Sequence, residues 1–234
     1  MKKAADTGKA LVLRLCNEDF TSKNGFKYPN KVGAEVVAPD WKTNADCGNG
    51  LHGWLFGHGD HSSCDYFNRP NKWMVIEVEL QSVIMLGGKV KFERGIIKHI
   101  GEKKSATDFI IKKESRSKAS EVIGAVLTVG DSLSVIAGSF GTATAGDRGT
   151  ATAGSFGTAT AGDRGTATAG DSGTATAGSF GTATAGDRGE IRIRYYDNKA
   201  DRYRTVIGYV GENGIEANVA YKLDSANKFV KATA

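Results

Sequence analysis

The sequence predicts a mainly β protein in three parts: an N-terminal α+β domain over residues 1–118, a short central β-solenoid over 119–189 with two octets per coil, and a β-rich C-terminal cap over 190–234. Three observations carry that reading. Glycine makes up 31 of the 234 residues against only 3 prolines, about twice the usual glycine share and a composition that fits neither collagen nor a Pro-rich linker. The middle of the chain repeats with a period of eight. Both flanks abandon that repeat for alternating apolar and charged residues.

The repeat comes first, because self-similarity decides the architecture. From Ala137 the chain reads AGSFGTAT, AGDRGTAT, AGSFGTAT, AGDRGTAT, AGDSGTAT, AGSFGTAT and a decaying AGDRGEIR that ends at Arg192. Upstream, VGDSLSVI (129–136) keeps the Gly-Asp-Ser but brings in Leu133, Val135 and Ile136, as an opening rung would. Two glycines per octet and β-branched threonines oppose helix. In each Thr-Ala-Thr the side chains alternate, so Thr142 and Thr144 share one face and Ala143 takes the other. Glycines supply corners that need positive φ or no Cβ. Eight residues are too few for two strands and two turns, so two octets close a coil, with a triangular three-octet coil as the competing geometry. Ala143, Ala151, Ala159 and Ala167 then point inwards and make a thin core, and the flanks must act as caps. The corner pairs run SF, DR, SF, DR, DS, SF, DR, which stacks Phe140 on Phe156 and sends Phe180 to the opposite side. Recent duplication explains near-identical octets as well as selection for each corner residue does.

The run GTATAGDRGTATAG resembles the octet repeats of bacterial ice nucleation proteins over residues 129–189. That resemblance implies sixteen-residue coils and a threonine surface suited to ordering water. The expected surface residues are Thr142, Thr144, Thr150, Thr152, Thr158, Thr160, Thr166, Thr168, Thr174, Thr176, Thr182 and Thr184. The repeat is long enough for three or four coils only, far short of the arrays that ice nucleation implies.

After Gly189 the segments Glu190–Tyr196 and Arg202–Tyr209 read as strands joined by a turn, and 221–230 closes the fold. Arg192 and Arg194 share a face of the first strand, and Arg202 and Arg204 share one on the second. They read either as a charge-guarded edge or, with Tyr195, Tyr196 and Tyr203 as anchors, as a patch for an acidic partner.

In the first domain, residues 9–16, 33–38, 73–80 and 90–97 read as strands, and 62–68 as a helix capped by Ser62 or Ser63. Cys47, His52, His58, His61 and Cys64 fall within eighteen residues, a concentration of the ligand types that zinc uses. Three readings stand: structural packing, which involves no cofactor; a zinc site, which would make zinc the one cofactor; and a thiol or imidazole catalytic site. Cys47-Gly48-Asn49-Gly50-Leu51-His52, with Phe67, the strand Val75-Ile76-Glu77-Val78 and the segment Lys104-Ser105-Ala106-Thr107, resembles an uncharacterised N-terminal domain of bacteriophage and prophage proteins. The closing segment Val206-Ile207-Gly208-Tyr209-Val210-Gly211-Glu212-Asn213-Gly214-Ile215 is similar to repeat proteins of that group. The resemblance implies a phage or mobile-element origin and brings no reaction with it.

The net charge of +5 has its acids interspersed with its bases, which argues against a nucleic-acid binder. The three cysteines make no disulfide framework, and no apolar segment reaches membrane-spanning length. The apolar stretch 10–16 is short and broken by Arg14, so it reads as a strand and not a signal peptide, and a cytoplasmic setting is expected. Three functions follow as expectations: a non-enzymatic scaffold binding a protein partner or its own copies, an ice-binding protein acting through threonine rows, and an N-terminal enzyme using Cys47 and the histidines.

Overall fold

The computed structural model describes residues 8–64, 67 and 70–232, and the chain divides into two compact units, Met1–Ile123 and Gly124–Ala234. In the first unit, β1 (Lys9–Asn17), β2 (Glu35–Val37), β3 (Leu51–Leu55), β4 (Asn71–Glu79), β5 (Ile84–Met85), β6 (Val90–Phe92) and β7 (Arg94–Gly101) form one antiparallel sheet in the order β2-β7-β4-β1-β3-β6-β5. Helix α1 (Lys103–Lys113) packs on β4, β7 and β1 through Ala106, Thr107 and Ile110. Burial explains the central strands: Val12, Leu13, Met74, Val75 and Ile76 are fully enclosed, a run too apolar for a half-wet strand.

Two expectations change here. The stretch 90–97 is two strands broken at Glu93, one pairing with β3 and the other with β4. Phe92 and Arg94 lie at most about 7 Å apart along the chain, whereas a flat sheet would hold β6 and β7 four strand spacings, about 19 Å, apart. The sheet therefore curls until its two sides meet at Glu93. The helix expected at 62–68 begins as a 3-10 turn, His61–Ser63, capped by Asp60, whose Oδ1 accepts from the Ser62 N–H at 2.8 Å. Residues 65, 66 and 68 of that stretch lie outside the described residues. Helix α1 is not among the predicted elements, although Ala106 and Ile110 are spaced four apart and Lys112 and Lys113 close its last turn.

The second unit is the β-solenoid that the octets predict. β8 (Val126–Thr128), β10 (Thr142–Ala145), β12 (Thr158–Ala161) and β14 (Thr174–Ala177) stack in parallel on one side; β9 (Ser134–Ala137), β11 (Thr150–Ala153), β13 (Thr166–Ala169) and β15 (Thr182–Ala185) stack on the other. Thr142 pairs with Thr158 and Thr150 with Thr166, so each coil takes sixteen residues. The first sheet ends in β16 (Glu190–Asp197) and its antiparallel partner β17 (Arg202–Tyr209); the second ends in β18 (Tyr221–Leu223) and β19 (Phe229–Lys231). The first rung begins at Val126, three residues before the reading by repeats alone.

Ala143, Ala151, Ala159 and Ala167 are fully buried, and a second inward row, Ala145, Ala153, Ala161 and Ala169, lies beside them. The alternation extends one residue past Thr-Ala-Thr. Larger side chains fill both ends of this alanine core: Val135, Leu127 and Val129 at one, Ile191, Ile193, Ile215 and Tyr221 at the other. They seal a stack whose interior is too narrow for anything beyond a methyl group.

The corners follow a rule the sequence hides. Eight non-glycine residues at eight-residue intervals, Ser132, Phe140, Arg148, Phe156, Arg164, Ser172, Phe180 and Arg188, hold left-handed backbone, with φ of 54–61°. The octet glycines do not. Their requirement is space: a Cβ on Gly162 would sit 2.3 Å from Asp147 Oδ1 and 2.7 Å from the Asp147 nitrogen.

Candidate functional site

Each threonine face is built from the alternation within Thr-Ala-Thr-Ala. With both alanines inward, all twelve predicted threonines point outwards and are half-buried or, for Thr158, exposed. Parallel pairing places them in straight rows, Thr142-Thr158-Thr174 and Thr144-Thr160-Thr176 on one side, Thr150-Thr166-Thr182 and Thr152-Thr168-Thr184 on the other. Each face is thus a lattice two threonines wide and three deep, and Thr128 of β8, opposite Thr144, extends one row of the first face to four. It is bounded at one end of the first face by the ion pair of Glu190 and Arg192 (2.5 Å), and on the second by exposed Ile136.

Corner carboxylates hold the coils in register. Asp131 Oδ1 accepts from the Asp147 N–H at 2.9 Å, Asp147 from Asp163 at 2.8 Å, Asp163 from the Ser179 N–H at 2.8 Å, and Asp171 from Asp187 at 3.0 Å. Each bond joins an ionised carboxylate to a backbone N–H sixteen residues on, one coil away, and is charge-assisted. Phe140 and Phe156 stack at 4.9 Å, while Phe180 stands exposed on the other side with Arg164 over its ring at 5.8 Å.

The four arginines of the terminal hairpin do not form one cluster. Arg192 lies opposite Ile207 and Arg194 opposite Thr205, on the outer face; Arg204 lies opposite Tyr195 and Arg202 opposite Asp197, on the other. Arg194 donates to Asp163 Oδ1 at 2.9 Å and covers Tyr203, and Arg204 donates to Asp197 at 2.7 Å. The Arg194 hydrogen bond, aided by the Ser179 N–H, holds the Asp163 carboxyl below its usual range. Tyr196 meets Tyr203 edge-on and donates to Asp201. Tyr196, Tyr203, Ile207 and Tyr209 share the outer face and are 43–53 % exposed.

In the first unit the five predicted metal ligands part company. Cys47, His52 and Cys64 line one cavity of about 280 Å³. His58 accepts from the Lys118 N–H at 2.9 Å and faces Glu121 at 3.4 Å, and His61 lies 3.9 Å from Asp60. Among the described residues no three His, Cys, Asp or Glu side chains are set to hold a metal ion. His52 sits on β3, pressed against β1 because Gly53 leaves no room for a Cβ beside Val12 and Leu13. Burial, with Lys89, Arg14 and Lys91 adding to it, pushes its imidazole down to about 4. Lys91 is fully buried and ties the Cys47 loop down, donating to Asn44 Oδ1 (3.0 Å) and to the Asp46 carbonyl (3.1 Å). Sequence reasoning missed Arg14, Lys89 and Lys91; the signal was a lysine between Val90 and Phe92 in an otherwise apolar strand.

Residues 10–112, somewhat under half of the chain, match a family described as a domain of unknown function, DUF7666. The repeat region is homologous to ice nucleation proteins. One from Pseudomonas fluorescens is 33% identical over 113 residues, 47% of this chain and 9% of that protein. One from Pseudomonas syringae is 35% identical over 109 residues, 46% of this chain and 9% of that protein. Ice nucleation protein InaU of Pantoea ananas is 34% identical over 105 residues, 44% of this chain and 10% of that protein. The chain thus spans about a tenth of the length of these relatives. No solved structure matches. No helix among the described residues is long and apolar enough to cross a membrane.

Proposed function

We propose that this chain is a non-enzymatic β-solenoid scaffold that works through its flat threonine faces, and that those faces order water and bind ice. The observation that carries the reading is the in-register lattice of Thr142, Thr144, Thr158, Thr160, Thr174 and Thr176, repeated on the opposite sheet. Rows about 4.7–4.9 Å apart, with alternate residues spaced twice the strand rise, offer hydroxyls and methyls on a fixed two-dimensional grid. The alanine core keeps that grid flat, and the naming of the relatives for ice nucleation supports it. The short stack suits adsorption to ice better than nucleation. Thermal hysteresis and ice-recrystallisation assays of the full chain test this, with Thr158→Lys and Thr174→Lys on one face as the comparison. Activity in the parent that falls in the lysine variants supports the reading; no activity in the parent overturns it.

A second reading, association with a protein partner or a second copy, is favoured by the exposed Tyr196, Tyr203, Ile207 and Tyr209 on edge strand β17. An ice-inactive chain whose self-association or partner capture is lost on Tyr203→Ser and Ile207→Ser would fit it. A phage or mobile-element origin and a cytoplasmic setting in the host belong to the same proposal and rest on the resemblance of the flanking motifs.

A further inference from the structure

We propose that the N-terminal unit carries a binding site for a small phosphate monoester in the cavity enclosed by β1, β3 and the Cys47 loop. Arg14, Lys23 and Lys89 line this cavity, and among its described lining residues there is no carboxylate. Lys89 makes no ion pair among the described residues, and the fully buried Lys91 adds a further positive charge behind His52. Lys89 and Lys91 thus bring positive charge to a cleft beside His52, and a phosphate dianion answers it.

The imidazole supplies the second observation. His52 Nε2 is buried and has no hydrogen-bond partner, a state that costs free energy unless something fills it. Burial first, and then the nearby cations, keep the ring neutral at pH 7, and in its Nε2–H tautomer it donates to a phosphate oxygen without adding charge. Gly48, at φ +100°, lines the wall with nothing within 4 Å of where a Cβ would be, which leaves room for a ligand at the mouth. The whole motif Cys47-Gly48-Asn49-Gly50-Leu51-His52 thereby acquires a common purpose: the loop wraps the cavity, Lys91 anchors the loop, and Gly53 seats β3. At about 280 Å³ the space is at the small end for ligand sites, which limits the occupant to a sugar phosphate or nucleoside monophosphate and excludes a polymer.

Isothermal titration calorimetry on the full chain, using inorganic phosphate and adenosine monophosphate as probes and adenosine and succinate as controls, tests the assignment. Adenosine monophosphate is expected to bind saturably and the two controls to give no heat. Lys89→Gln should weaken binding by about tenfold or more, the loss of one charge-assisted contact. Alkylation of exposed Cys47 by iodoacetamide should slow when the probe is bound, which reports occupancy of this cavity in the unmodified protein. No saturable heat, succinate binding as tightly as the phosphate ester, unchanged affinity in Lys89→Gln, or unchanged Cys47 alkylation would each overturn it.

Discussion

Replacing Gly162 by alanine tests the physical account of the corners most directly. Gly162 does not hold left-handed backbone, so alanine could adopt its φ and ψ; at a site with room, that change stabilises by about 0.4–1 kcal/mol through the unfolded chain. Here there is no room. The new Cβ would lie 2.3 Å from Asp147 Oδ1, 2.7 Å from the Asp147 nitrogen and 2.8 Å from the Gly146 carbonyl carbon. The two backbone atoms belong to the coil below and cannot swing aside. Asp147 Oδ1 could, but only by giving up its bond to the Asp163 N–H, a charge-assisted contact of about 1.5–3 kcal/mol. Overpacking adds about 1–3 kcal/mol. The expected net loss is roughly 2–4 kcal/mol, seen in urea unfolding followed by circular dichroism as a lower midpoint at unchanged slope. The melting temperature should fall by about 10 °C. A variant as stable as the parent would refute the claim that space, and not backbone conformation, selects these glycines.

Other outcomes follow from the same structure. Arg148→Asn should stabilise by about 0.5–1 kcal/mol, since asparagine tolerates the φ of 56° at that corner better than arginine; chemical denaturation checks it. Ala159→Leu, in a fully buried site facing other alanines, should cost about 1–3 kcal/mol by the same measurement. In the first unit, His52 takes a proton near pH 6.5 when unfolded but only at about 4 when folded. Its contribution is therefore complete above pH 6.5 and is lost as the pH falls from 6.5 towards 4. The stability difference between the parent and His52→Gln should change across that window, and two parallel stability–pH curves would count against it.

The octets alone were enough to read the solenoid, because everything that sets it is local: a period-two alternation puts Ala143 inside and Thr142 outside, and two octets are the least that make two strands and two turns. The outer strands of the terminal hairpin were legible for the same reason. What the tertiary structure decided depends on neighbours sixteen or more residues away. Gly162 is selected by the coil beneath it, so the left-handed position fell to Phe140 and Arg148 instead. Asp147 finds its partner in the next coil's N–H, and pairing across β16 and β17 splits the arginines onto opposite faces. The Cys/His concentration looked like one site along the chain, yet His58 turns to Lys118 while Arg14, Cys47, His52, Cys64 and Lys89 meet from different elements around one cavity. Alternation and turn chemistry act over a few bonds and survive in a linear string; charge and close approach act through space, and only the closed sheet and the stacked coils bring those groups together.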